Sequence, residues 1–303
     1  MLGGCSMNIS FPGIGINNVE VPRVFIKIGS FAIYWYAILI TIGIVLAFIF
    51  ALRNCKKFNL VSDNIYDALL FGLPCAIVGA RLYYVIFTLG DIESFGEIFN
   101  LRKGGLAIFG GIIGAFFGGL ILCKIKKIKF SSLLDVASMG FLIGQCIGRW
   151  GNFFNGEVYG VETSLPWRMV IENDYATKNG VHPLFLYESL WNLLGFILLF
   201  IFVKKAKKRF SGQVALMYVI WYGFGRGFLE GLRQQEFIIK GLFGGYVSQI
   251  LGFISAIVAL IILIVLTKKN KETKNYVKVF DVPATELQNE IKIEKEDENG
   301  DNN

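Results

Sequence analysis

The chain has 303 residues and a single histidine, His182. No His or Cys pair stands at metal-ligand spacing, so nothing points to a zinc centre, and neither a metal nor a soluble cofactor is expected. The five cysteines, Cys5, Cys55, Cys75, Cys123 and Cys146, contain no CxxC pair, which argues against a redox motif or a disulfide framework. Cys55 and Cys123 lie beside basic clusters, and Cys75 and Cys146 lie inside apolar runs, where a thiol packs as a small hydrophobe. The opening Met1-Leu2-Gly3-Gly4-Cys5 looks like a lipoprotein cleavage box but lacks the basic and apolar stretches that precede one, so Cys5 is read as coincidental. Strict apolar/polar alternation, the mark of a membrane barrel, is missing. No internal repeat is visible, which weighs against an inverted-repeat transporter.

What is abundant is apolar side chain: 54% of residues are hydrophobic, and 28 are Phe. Apolar runs of helix-spanning length recur, and each suffices to cross about 30 Å of hydrocarbon. Lipid admits only helices or closed barrels, so the expected fold class is all-α, a polytopic bundle of seven transmembrane helices at about 31–52, 66–89, 105–123, 132–153, 184–203, 213–230 and 246–267. Basic clusters follow every second span: Arg53, Lys56 and Lys57; Lys124, Lys126, Lys127 and Lys129; Lys204, Lys205, Lys207, Lys208 and Arg209; Lys268, Lys269, Lys271 and Lys274. The positive-inside rule then sets the N-terminus outside and the C-terminus in the cytosol. These clusters also account for the net charge of +7 without a nucleic-acid partner. Residues 1–274 read as the membrane domain, and 275–303, with Glu294, Glu296, Asp297, Glu298 and Asp301, as a disordered cytosolic tail. Gly110, Gly111, Gly114, Gly118 and Gly119 crowd the third span, as close helix packing in lipid requires.

Charged groups at membrane depth are costly and usually functional. Arg81, Asp135, Arg149, Glu188, Arg226 and Glu230 lie within spans, with Glu157 and Arg233 just beyond two of them. Apart from Asp135, they fall toward the outer ends of their spans, at the level of Tyr36 in the first. Arg226, Glu230 and Arg233 share one helix face by their spacing, as do Arg149 and Asn152. One reading is a set of ion pairs that joins helices. The other is a site for an anion, and in a membrane the nearest anion is a lipid phosphate, which the guanidinium fork binds bidentately. His182, followed by Pro183, reads as an extended residue ahead of the fifth span.

The stretch 148–160, GRWGNFFNGEVYG, resembles the signature of the prolipoprotein diacylglyceryl transferases, Gly-Arg-x-Gly/Ala-Asn-Phe-x-Asn-x-Glu-x-x-Gly, at every specified position. Trp35-Tyr36, Gly79-Ala80-Arg81, His182 to Glu188, and Arg226 with Glu230 and Arg233 are similar to further landmarks, so the resemblance covers about residues 25–270. It implies a multi-pass enzyme of the bacterial cytoplasmic membrane with its active site toward the outer leaflet. Its expected partners are phosphatidylglycerol, exported lipoprotein precursors bearing a lipobox cysteine, and membrane lipids. The resemblance also implies functional roles for Asn155, Gly160 and His182 in the substrate site. One position departs from the pattern: Phe109 stands where many members carry the histidine of a His-Gly-Gly early in the third span.

The expected reaction is attack by the lipobox thiolate on a glycerol carbon of the lipid, with phosphate leaving. Arg149 and Arg226 are the expected stabilisers of the charge gained by the phosphate, aided by Asn152 and by Arg81 or Arg233. Tyr36, Glu157 and Glu188 remain open as proton carriers, and an arginine field raises the thiolate fraction without a dedicated base. Two other classes compete: an anion transporter using the same arginines, and a lipid-binding protein that has lost activity with the histidine.

Overall fold

The computed structural model describes residues 6–29, 31–88, 96, 105–172, 174, 177–206, 209–234 and 246–273. Cys5, Lys207, Lys208, Lys274 and the tail 275–303 lie outside the described residues. The chain is mainly helical, with α1 Trp35–Asn54, α2 Ser62–Phe87, α3 Ile108–Ile125, α4 Phe130–Asn155, α5 Leu184–Lys205, α6 Gln213–Glu230 and α7 Val247–Thr273. Each apolar run of the sequence is one of these helices. Five of them, α1, α2, α4, α5 and α7, are long and apolar enough to cross a membrane. The apolar run in α3 is shorter, and α6 gives up hydropathy to Arg226 and Glu230. Large apolar side chains point outward along the helices, as Leu251, Ile254, Ile257 and Ile261 do on α7. Such a surface is stable in lipid and not in water, so the protein is membrane-integral.

The helical expectation did not include the strands. These are β1 Ser6–Phe11, β2 Ile16–Pro22, β3 Val24–Ile28, β4 Phe31–Tyr34 and β5 Val170–Ile171. One antiparallel sheet runs β2-β1-β5, and β3 pairs with β4 as a hairpin. Among the described residues the chain divides into two compact units, one of residues 6–50 with 137–273, the other of residues 51–136.

In the second unit, α2 and α3 meet backbone to backbone. A Cβ on Gly79 would strike the Gly110 carbonyl and the Gly114 backbone, and one on Gly114 would strike the Cys75 carbonyl. Gly110, Gly114 and Gly118 recur every four residues and so present one smooth stripe. Charge stays at the ends of this seam. Arg81 donates to the Gly105 carbonyl at 2.9 Å, and Lys126 pairs with Asp67 at 2.7 Å.

In the first unit, the sheet has a core of Met7, Ile9, Val21, Tyr159, Met169, Ile171, Val181 and Phe185, with Phe153 and Phe154 of α4 packed against it. The alternation is local: Met7 and Ile9 are buried while Ser6 is exposed, as a period of two demands. Gly43 and Gly144 join α1 to α4, and Gly223 and Gly252 join α6 to α7. Between α5 and α6, Trp191 and Trp221 stack at 4.3 Å, and each indole N–H donates to the other residue's carbonyl, at 3.1 and 3.0 Å. Gly195 and Gly225 leave the space these rings fill.

Candidate active site

The signature stretch is a helix that stops on purpose. Gly156 takes a φ of +66°, the left-handed conformation that glycine adopts without strain. Its N–H bonds to the Phe153 carbonyl, and that of Glu157 reaches back to the Asn152 carbonyl, closing α4 in the manner of a glycine C-cap. The chain thereby returns Glu157 to the last turn. Its Oε1 accepts from Asn152 Nδ2 at 3.1 Å and from Asn155 Nδ2 at 3.0 Å. Asn152 Oδ1 in turn accepts from Arg149 Nη1 at 3.4 Å, a long bond. Asn152 is thus held at both ends, and Asn155 supports Glu157.

Three helices then meet through charge. Glu188, buried on α5, accepts Arg149 Nε of α4 through Oε2. Its Oε1 faces Arg226 of α6 at 3.7 Å and Arg233 Nη2 at 3.4 Å. Glu230, also buried, pairs with Arg226 at 2.8 Å and with Arg233 Nε at 3.4 Å. Three guanidiniums around two carboxylates leave one positive charge over. Burial and the neighbouring Arg226 push Arg233 below the ordinary arginine range, while Glu188 and Glu230 pull it back. An incoming anion would offset this crowding. Beside the ion pairs lies a cavity of about 20 Å³, lined by Arg149, Glu188, Asn192, Tyr222 and Arg226 among others.

Gly160 has a mechanical part. Its N–H donates to the His182 carbonyl, and it bridges Arg233, while Val161 N–H donates to the Leu232 carbonyl. A Cβ here would stand 2.6 Å from the His182 Cβ and 2.7 Å from the Leu232 carbonyl oxygen. The signature's last glycine therefore fastens the segment that carries Arg233. His182 Nδ1 lies 3.2 Å from the Tyr187 hydroxyl, which also accepts from Trp167 Nε1 at 2.6 Å. Burial pushes its pKa down from the ordinary imidazole range.

Residues 23–265 match the family model for prolipoprotein diacylglyceryl transferase. The chain belongs to the prolipoprotein diacylglyceryl transferase family. The phosphatidylglycerol–prolipoprotein diacylglyceryl transferase of Finegoldia magna is 45% identical over 250 residues, covering 82% of this chain and 97% of the relative. The enzyme of that name from Enterococcus faecalis is 42% identical over 271 residues, 85% of this chain and 94% of its own length. One numbered 1 from Clostridium perfringens is 41% identical over 251 residues, 81% and 96%.

For a transferase of this family, the geometry sorts the residues singled out by sequence. Arg149, Glu188, Arg226, Glu230 and Arg233 form one network, joined through Asn152 to Asn155 and Glu157. Tyr36 packs its ring on Gly151, within the signature. Arg81 belongs to the other unit and is engaged with Gly105. Phe109 is exposed on α3, its ring 6.5 Å from that of Tyr83. Among the lining residues that sequence did not single out are Asn192 and Tyr222, which are uncharged and pass unnoticed in apolar runs. The i,i+4 spacing of Glu188 and Asn192 was the available signal.

Proposed function

We propose that this enzyme moves the diacylglyceryl group of phosphatidylglycerol onto the lipobox cysteine of exported lipoprotein precursors. The observation that carries the reading is the cluster of Arg149, Arg226 and Arg233 around Glu188 and Glu230, with its surplus positive charge beside a cavity. The thiolate sulfur attacks the glycerol carbon bonded to the phosphate oxygen. A carbon–sulfur bond forms, the carbon–oxygen bond breaks, and the electron pair leaves on phosphate. The thiol proton passes to solvent or to the departing glycerol phosphate.

The phosphodiester enters with one negative charge and leaves with a second. Arg149 and Arg226 hold that added charge, and donors fixed before the reaction lower its barrier. Glu188, with both oxygens turned to guanidiniums, acts by setting their positions. Of the three open proton carriers, Glu188 is engaged by guanidiniums, whereas Glu157 Oε1 accepts from the side-chain amides of Asn152 and Asn155. Phe109 fits a reaction in which the arginine field supplies thiolate without a histidine base. The basic clusters support seven spans with the N-terminus outside, in a bacterial cytoplasmic membrane with the site toward the outer leaflet. Membership in a transferase family favours catalysis over anion transport and over a lipid-binding role alone.

The test is transfer of labelled diacylglyceryl from phosphatidylglycerol to a synthetic lipobox peptide by purified protein, with a Cys-to-Ser peptide and an Arg149→Ala variant as controls. Label is expected on the Cys peptide only, and about a hundredfold less with Arg149→Ala. Absence of transfer by folded, lipid-bound protein would refute the reading.

A further inference from the structure

The cavity beside the ion pairs holds a group that the transfer mechanism leaves unused. Asn192 lies one turn after Glu188 on α5 and shares its face. It is 5% exposed and lines the cavity with Arg149, Glu188, Trp191 and Arg226. Its Nδ2 donates to the Glu188 backbone carbonyl at 2.7 Å. That bond fixes the carboxamide, because turning it over would set oxygen against oxygen. Among the described residues, its Oδ1 accepts no hydrogen bond. A buried acceptor left unpaired is costly, and a ligand hydroxyl that completes it removes that cost.

We infer that Asn192 determines headgroup specificity: its Oδ1 accepts a hydrogen bond from a hydroxyl of the lipid's glycerol headgroup while Arg149 and Arg226 hold the phosphate. The inference rests on the proposed reaction. An amide oxygen only accepts. The phosphate and ester oxygens of phosphatidylglycerol also only accept, so its headgroup hydroxyls are the donors it can offer. They are a few bonds from the phosphate, and Asn192 is on the wall of the cavity that contains the phosphate-binding guanidiniums. A cavity of about 20 Å³ admits one such group. An ammonium headgroup would also donate, but the surplus positive charge repels it. Asn192 and the arginines together therefore select an anionic lipid with a neutral, hydroxyl-bearing headgroup. Asn192 touches neither the thiol nor the breaking bond, so it is a specificity residue.

The experiment compares phosphatidylglycerol with phosphatidylpropanol, which keeps the phosphodiester and acyl chains but has no headgroup hydroxyl. Transfer to the lipobox peptide is measured as kcat/KM for the full-length enzyme and for Asn192→Ala, with Asn192→Gln as the second variant should alanine not fold. Gln keeps the amide but moves its oxygen by one methylene. The unaltered enzyme is expected to prefer phosphatidylglycerol about ten- to a hundredfold. In either variant that ratio is expected to collapse toward one. A ratio unchanged in the variant, with both rates lowered together, would show a merely structural role and overturn the inference. So would an unaltered enzyme that does not distinguish the lipids. Competitive retention of the two lipids, read by native mass spectrometry, measures the same preference without turnover. Absence of transfer with a preserved, Asn192-dependent binding preference would therefore sink the proposed reaction and leave the specificity role standing.

Discussion

Along the seam of α2 and α3 the contacts are made by Gly79, Gly110, Gly114 and Cys75, and the charged pairs lie at its ends. Where α4, α5 and α6 meet, the contacts include three arginines and two buried carboxylates. Both are helix junctions of one membrane protein, so the contrast is informative. Helices in lipid associate through close small-residue packing, and α6 and α7 do so as well at Gly223 and Gly252. Even α5 and α6 have their own neutral joint in Trp191 and Trp221. Small-residue and aromatic joints thus fasten these other pairs without charge. Burying ions costs several kcal/mol each, a cost that the proposed phosphate-binding task accounts for.

Substitutions that break this contrast differ in what they damage. The largest effect on stability is expected at Glu188→Gln, about 3–5 kcal/mol, because three guanidiniums would share one carboxylate. Anionic lipid should restore this variant's thermal stability more than that of the unaltered protein. Equal gains for both would deny the cluster an anion-binding role. Next is Gly114→Val, which forces a side chain against the Cys75 carbonyl. It should cost about 1–3 kcal/mol of stability, and lower activity only in proportion to the folded fraction.

Gly160→Val sharpens the comparison from the other side. A side chain there displaces the strand-like segment that carries Arg233. Transfer is expected to fall about tenfold, with 1–3 kcal/mol of stability lost. Retention of full rate would show that Arg233 need not be held in place. The smallest effect concerns His182, whose pKa is lowered by burial from 6.5. Well above 6.5 folded and unfolded chains both hold this residue neutral and bind the same number of protons. Below it the unfolded chain takes up a proton that the folded chain refuses, so stability falls as pH drops through the folded value. Thermal unfolding between pH 5 and about 7.5 should show this decline, shallower in His182→Gln.

The helices were legible because apolar runs of spanning length have few alternative folds; α6 begins at Gln213 and ends at Glu230, as its run does. The glycine stripe of α3 likewise announced a close neighbour. The strands were not legible. β1 gains its core from β5, more than 150 residues away, and six residues with modest alternation hide beside long apolar runs. In the site, Arg149, Arg226, Glu230 and Arg233 stood out by charge and spacing. Arg81, which depth along the chain placed level with them, donates to the Gly105 carbonyl in the second unit. Asn192 was overlooked, because a neutral amide in an apolar helix signals only through its i,i+4 spacing from Glu188, and its unpartnered oxygen is seen only in the structure.

The central claim is that forked guanidiniums, rather than positive charge alone, carry the reaction. It is tested most directly by single-turnover transfer from labelled phosphatidylglycerol with Arg149→Lys, in protein of matched folding and lipid content. Lysine keeps the charge but loses the planar pair of donors. A rate about a hundredfold below that of the unaltered enzyme is expected. An unchanged rate would contradict the account.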